Sequence, residues 1–199
     1  IFEEQNLTEF LAEVKLNMEN ITDSHEKDIQ EINEYIFQSS GKFVRSKLIF
    51  IYGTHLKVDR RDLVELSSAT ELIHLSTLIH DDIIDDAPLR RGKETIFKKW
   101  GVTKALLYGD YLYTKTFSSL NSLQNQKIAN ILIKCAEKLI EGEFKQLENI
   151  GNSNVSIRDY QIIINNKTAV LFSGILESIA IYAKLEEDGT ITLLGRGSN

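Results

Sequence analysis

Residues 60–86 read RRDLVELSSATELIHLSTLIHDDIIDD, and the chain continues Ala87-Pro88-Leu89-Arg90-Arg91-Gly92-Lys93. Asp59 stands where an N-cap would, and the only proline of the chain follows at Pro88. Proline has no amide hydrogen and disfavours helix in the residue before it, so one long apolar helix is expected to end here. Its last turns carry Asp81, Asp82, Asp85 and Asp86. Helical residues four apart stack, so Asp81 should face Asp85, and Asp82 Asp86, with Cβ atoms about 5–6 Å apart. Like charges so placed repel, and the macrodipole disfavours negative charge at a helix C-terminus. A divalent cation would relieve both effects. Magnesium takes one or two carboxylates and keeps its other positions for water and phosphate oxygens. The acidic end therefore suits a bridge from protein through Mg²⁺ to a diphosphate. A solvated acidic helix end is the plainer alternative.

Cationic groups recur around this feature. His74 precedes Asp81 by seven residues, about 20° off the same helix face at ~100° per residue, although lone helical histidines are more often structural. His80 reads as a local packing or capping residue. Arg90 and Arg91 lie beyond the proline, on a loop that can fold back toward the carboxylates. Their planar donor forks match phosphate. A solvated basic loop paired with Asp85 and Asp86 is the alternative. Gly41-Lys42-Phe43-Val44-Arg45 is expected to open another helix, with Lys42 and Arg45 one turn apart. Positive side chains at a helix start oppose the dipole unless an anion is bound. Lys167 and Thr168 are expected between two helices, as a point charge and a hydroxyl donor. Each element is weak alone. Together they describe a diphosphate site with metal on one side and Lys/Arg on the other.

The rest of the chain frames these motifs. Apolar residues recur at spacings of three and four, as in Leu7, Phe10, Leu11 and Val14 or Leu132, Cys135, Leu139 and Ile140, without sustained alternation. That is the helical period, so the fold class is all-α. Helices are expected over about 4–20, 24–38, 42–56, 60–86, 101–122, 125–149, 156–166 and 168–185, with Ser156 a second N-cap. Breaks are expected at Ser39-Ser40-Gly41, Lys57-Val58-Asp59, Asn121-Ser122 and Gly151-Asn152-Ser153-Asn154. The 199 residues, 42% of them apolar, suit one domain spanning 1–199. A net charge of −6, with basic residues scattered outside Arg90, Arg91 and Lys93, gives no reason to expect nucleic acid. The single cysteine, Cys135, excludes an internal disulfide and fits a reducing, cytoplasmic compartment. No run reaches the ~18 uninterrupted apolar residues of a membrane span, so no transmembrane segment is expected. Ile1 opens straight into Phe2-Glu3-Glu4, with no signal-peptide pattern.

Over about residues 5–185 the sequence resembles the trans-isoprenyl diphosphate synthase, or polyprenyl synthetase, family. Asp81, Asp82 and Asp85 match its first Asp-Asp-x-x-Asp motif, and Leu89-Arg90-Arg91-Gly92 the segment after it. Gly41, Lys42 and Arg45 match its Gly-Lys-x-x-Arg element, with Ser46 where the family usually has proline. Glu71-Leu72-Ile73-His74, Gly109-Asp110-Tyr111-Leu112, Gly142-Glu143-Phe144-Lys145-Gln146 and Lys167-Thr168-Ala169-Val170-Leu171-Phe172 match in order and spacing. The resemblance implies an isoprenoid-synthase-type antiparallel helical bundle around a central cavity, faced by the Asp81 and Lys167 helices. It implies a Mg²⁺-dependent trans-prenyltransferase that condenses an allylic diphosphate with isopentenyl diphosphate. Asp81 and Asp85 would bind the metal that holds the allylic diphosphate, with Asp82 in support. Arg90 and Lys167 would hold that diphosphate, and Lys42, Arg45, His74 and Arg91 isopentenyl diphosphate. Thr168 and Gln146 would stabilise the allylic cation with oxygen dipoles.

The same resemblance carries three further expectations. The growing chain should run down the helix from Asp81 and meet Ser76 and Thr77 first. Short-chain members carry bulky aromatics there, so these small side chains imply an open tunnel, a deeper floor such as Phe117 and a long-chain product. The alternative is that they are small because a neighbouring helix packs closely. Family members pair as homodimers, and Leu106, Leu107, Tyr111 and Leu112 are candidates for that interface, with ordinary core as the alternative. The family's second aspartate-rich motif is absent from these residues, so the chain is expected to be incomplete at its C-terminal side and nearly inactive alone. A non-catalytic partner subunit of a complete synthase is the competing reading. A class I terpene cyclase competes less well, because it has no second diphosphate to hold with Gly-Lys-x-x-Arg and His74.

Overall fold

The computed structural model of the chain describes residues 2–38, 41–123, 125–150 and 156–185. The fold is all-α. In order come α1 (Phe2–Ile21), α2 (Lys27–Phe37), α3 (Val44–His55) and α4 (Arg60–Ile84). A hairpin of β1 (Leu89–Arg90) and β2 (Lys93–Glu94) follows, then α5 (Ile96–Trp100), α6 (Val102–Asn121) and α7 (Gln126–Glu148). The chain ends in α8 (Ile157–Ile164), a π-helical turn (Asn165–Ala169) and α9 (Val170–Tyr182). The breaks expected at Ser39-Ser40 and at Gly151 to Asn154 lie outside the described residues.

Helix α4 is the axis of the molecule, packed by α1, α3, α6, α7 and α9. From Leu66 to Ile73 every side chain is buried, which explains why its pattern is apolar all round rather than one-faced. Two of the small polar residues in that stretch return their hydroxyls to the backbone, Thr70 to the Leu66 carbonyl at 2.7 Å and Ser68 to that of Val64 at 2.8 Å, while the buried Ser67 hydroxyl finds no partner among the described residues. This leaves short side chains where neighbouring helices come close. Phe10, Ile49, Leu112, Leu132 and Leu171 close the core around it.

Both ends of α4 follow from the sequence. The Asp59 carboxylate accepts the Arg61 N–H at 2.8 Å, as an N-cap should. At the other end Asp86 takes a left-handed conformation, φ 48°. There the Asp86 N–H reaches the Ile83 carbonyl at 3.3 Å and the Ala87 N–H that of Asp82 at 3.0 Å, a Schellman closure. The helix therefore stops two residues short of the expected end, and Asp86 does not stack on Asp82. Next, Arg91 (φ 53°) and Gly92 (φ 78°) form the turn of the hairpin, with Leu89 opposite Glu94 and Arg90 opposite Lys93. Two consecutive positive-φ residues match the twist of a two-residue hairpin. This ribbon, not foreseen from the sequence, folds the arginines back over the end of α4.

Two other expectations change. Lys42 precedes α3 instead of lying in it, because Phe43, the residue before the first helical position, is left-handed with φ 47°. Lys167 and Thr168 do not lie in a gap between helices. The π-turn joins α8 to α9 in one continuous helical run, which the Ser156 hydroxyl starts by accepting the Asp159 N–H at 3.0 Å. That run, Ile157–Tyr182, is 26 residues long with a mean hydropathy of 1.2 in its most apolar window, so by length and composition it is sufficient to cross a membrane. Counting uninterrupted apolar residues missed it, since single polar residues interrupt it. Here α9 packs into the core through Leu171, Ile175 and Ile179, while α8 buries none of its residues.

Candidate active site

Two cavities flank the C-terminal end of α4. The first, about 460 Å³, is lined by Thr77 and Asp81 of α4, Tyr113 of α6, Leu139 and Glu143 of α7, and Lys167 and Thr168 of the π-turn. The second, about 330 Å³, is lined by Lys42, Glu71, Asp82, Arg90 and Arg91. Arg45, His74 and Leu78 line both, so one wall separates the chambers.

In the first cavity, Asp81 and Lys167 face each other, Oδ2 to Nζ 4.0 Å apart. Burial, above all, raises the Asp81 carboxyl to about 6; Lys167 opposes this, while Glu143 and Asp85 add to it. Lys167 is held more closely by Glu143 Oε2 at 2.8 Å and Gln146 Oε1 at 2.9 Å. The π-turn inserts one extra residue into the helix, a distortion often found at functional sites, and presents Lys167 and Thr168 to the cavity. Gly142 makes the approach possible, because a Cβ there would lie 2.9 Å from Asn166 Cβ and 3.2 Å from the Lys167 backbone nitrogen.

Among the described residues no three His, Cys, Asp or Glu side chains converge on one point. Magnesium needs fewer protein ligands, completing its shell with water and phosphate. Asp81, an oxygen donor whose charge is disfavoured by burial and by two neighbouring carboxylates, fits such an ion. Asp85, exposed at the C-cap of α4, is close enough to add to the rise at Asp81.

Asp82 points elsewhere. It is buried, and Arg90 Nε donates to both its oxygens at 2.9 Å while Nη2 lies 2.7 Å from Oδ1. Arg90 is thus engaged on the second cavity's wall rather than standing free at the first. In that second cavity the Arg91 guanidinium packs over Gly41, where a Cβ would come 3.3 Å from it. The Arg45 Nε is buried and finds no hydrogen-bond partner among the described residues. Glu71 accepts the Ser46 N–H at 3.1 Å and the Ser46 hydroxyl at 2.9 Å, the first of which a proline at 46 would forbid. Burial foremost, then Arg45, Arg90 and Arg91, push His74 down to about 3. His74 therefore stays neutral at physiological pH, able to donate from one nitrogen and accept at the other. Its imidazole signals should not shift between pH 5 and 8 in the free protein. A histidine titration by NMR checks this, and an apparent pKa near 6.5 would contradict it.

The residues expected to line the product tunnel divide. Thr77 lines the first cavity. Ser76 is fully buried and donates to the Gly109 carbonyl at 2.8 Å, so α6 packs directly against it. Its small size reflects that close approach. Phe117 lies behind Tyr113, ring centroids 5.7 Å apart and stacked, and Tyr113 rather than Phe117 reaches the cavity. The proposed interface residues divide too. Leu106 and Leu107 are exposed, but Leu112 is core, and Tyr111 is tied by its hydroxyl to the Thr22 and Asp23 carbonyls at 3.2 and 2.9 Å. Glu143, matched only as part of its motif, and Tyr113 were not among the expected site residues. Glu143 shares the face of Gln146 one helical turn away, which was the available signal.

The polyprenyl synthetase family profile matches residues 26–196. Octaprenyl diphosphate synthase of Escherichia coli is 31% identical over 159 residues, 78% of this chain and 49% of that protein. Heptaprenyl diphosphate synthase component 2 of Geobacillus stearothermophilus is 30% identical over 91% of this chain and 57% of its own length. The crystal structure of a polyprenyl synthase from Caulobacter crescentus, complexed with calcium and isoprenyl diphosphate, superposes with a TM-score of 0.84 at 29% identity, covering 90% of this chain and 55% of that one. The chain thus spans about half the length of the curated relatives it matches.

Proposed function

Since the chain belongs to the polyprenyl synthetase family, we propose that it carries the two diphosphate sites of a prenyl transfer, in which an allylic diphosphate condenses with isopentenyl diphosphate. The observation that carries the reading is the pair of chambers on either side of α4, one acidic with a single lysine, the other cationic. A metal-requiring diphosphate suits the first. A diphosphate held by Lys42, Arg45 and Arg91 without metal suits the second. Neutral His74 in the shared wall supplies a hydrogen-bond donor to the second diphosphate.

Mg²⁺, bound at Asp81 and Asp85, would neutralise charge on the departing diphosphate. Lys167 contributes a donor from the opposite wall, and Thr168 directs its hydroxyl dipole toward the allylic carbon. Leu139, Leu171 and Tyr113 exclude water from the cation formed when the allylic C–O bond breaks. The isopentenyl double bond attacks from the second chamber, across the wall at Leu78, and a proton is then lost to the departed diphosphate. Incorporation of labelled isopentenyl diphosphate into longer products, with Mg²⁺ and an allylic primer, tests the reading. It is to be run on this chain and on a longer protein containing it; no incorporation by the longer protein would refute it.

A role as one component of a two-part synthase is the second reading, supported by the likeness to a protein named component 2. The exposed Leu106 and Leu107 are the proposed contribution to a partner or homodimer contact. Product length is proposed to be long, because Thr77 leaves the cavity open one turn below Asp81. Thr77→Phe in the longer protein should shorten the products with activity retained. Chromatography of the chains checks this, and an unaltered distribution would place the tunnel elsewhere.

A further inference from the structure

The first cavity holds its own anion against its own lysine. Glu143 is largely buried, with only 15% of its side chain exposed, and its carboxylate lies 2.8 Å from Lys167 Nζ. Gln146 takes a second proton of the same ammonium at 2.9 Å, and Asp81 lies 4.0 Å away on the remaining side. An ammonium has three protons, and with two given to Glu143 and Gln146 Lys167 keeps only one for an arriving phosphate, with the Asp81 carboxylate 4.0 Å away, unless one of these partners yields. The charged groups lining the chamber are Asp81 from α4, Glu143 from α7, Lys167 from the π-turn and Arg45 from α3, with His74 neutral; Asp85 adds its charge beside Asp81 from outside the lining. A bare diphosphate would meet two lining carboxylates, with Asp85 close behind, against two cations, one of them already engaged.

Building on the proposed allylic site, we infer that Glu143 is a positioning residue that makes diphosphate binding at Lys167 conditional on a divalent cation. In the structure the Glu143 carboxylate holds the place beside the ammonium that a phosphate oxygen would take. Without metal, a diphosphate must displace that carboxylate and remain near it. With metal, the added positive charge offsets Asp81 and Glu143 together, so the exchange of partners at Lys167 becomes favourable. This is a coupling between two ligands, and it must act equally in both directions. Glu143 is not required to touch the substrate for this.

The test is titration of geranyl diphosphate, in EDTA and in Mg²⁺, with isopentenyl diphosphate saturating so that the second chamber is filled. Wild-type protein, Glu143→Gln and Glu143→Asp are compared. Glutamine keeps the volume and an acceptor oxygen for Lys167 but loses the charge. Removing one charge a few ångströms from a diphosphate at this depth should be worth about tenfold. Glu143→Gln should therefore bind about tenfold tighter in EDTA, and the gain on adding Mg²⁺ should shrink about tenfold. Glu143→Asp should keep the wild-type metal dependence. Unchanged or weaker binding of Glu143→Gln in EDTA overturns the inference, as does identical behaviour of the Asp and Gln variants. Metal-dependent binding by the wild-type protein that is indifferent to Glu143 removes this inference alone. No binding by the wild type even with Mg²⁺ removes the site reading as well.

Discussion

Asp81→Asn should make the protein more stable and weaken the Mg²⁺-dependent binding of an allylic diphosphate in its first cavity. The carboxyl titrates at about 6 in the folded chain against an ordinary 3.8, with burial the main cause. Folding therefore favours the protonated form, and this group's contribution to stability is present at low pH and lost as pH rises from about 4 through 6. That difference in proton affinity corresponds to ~3 kcal/mol, which water at the cavity mouth screens to about 1–2 kcal/mol. In a chain of this size that is a rise in Tm of about 3–6 °C at pH 7. Asparagine keeps the shape and removes the charge, so the variant should lose that pH dependence. It should also lose about 10–100-fold in Mg²⁺-dependent binding, the worth of a charged contact. Thermal unfolding at pH 4 and 7 beside calorimetry reads both effects. A variant that is less stable and binds normally would contradict the role of Asp81.

Arg90→Ala should act in the opposite direction on stability. Asp82 keeps only 8% of its side chain exposed and owes its solvation to one guanidinium. Removing one partner of a buried pair typically costs about 3–5 kcal/mol, and the partial exposure of Arg90 lowers this to about 2–4 kcal/mol. The hairpin also loses its anchor on α4. Adding Asp82→Asn to Arg90→Ala should recover much of the loss, because no buried charge then remains unpaired. Denaturant midpoints of the two single variants and the double variant form the cycle. A loss below about 0.5 kcal/mol for Arg90→Ala would mark the pair as an ordinary surface contact.

The helical class and the placing of Asp81, Lys167, His74 and Arg45 at shared cavities were legible because each rests on spacing within a helix or on a motif. What was not legible rests on single backbone choices. Left-handed Asp86 ends α4 early and removes the expected second aspartate pair. Left-handed Arg91 makes a hairpin where a loop was expected, and so brings Arg90 to Asp82. The π-turn converts an expected gap into a bulge. Non-glycine residues carry no strong sequence signal for such conformations. Ser76 shows a different limit. A small residue on a buried helix marks open space or a close neighbour equally well, and only the position of Gly109 on α6 decides between them.

The most direct measurement is a calorimetric titration with isopentenyl diphosphate and geranyl diphosphate, singly and together, in EDTA and in Mg²⁺. Two chambers divided by α4 predict that isopentenyl diphosphate binds without metal, that tight binding of geranyl diphosphate requires Mg²⁺, and that saturation with one leaves a site for the other. Mutual competition for a single site, with one shared metal requirement, would contradict them.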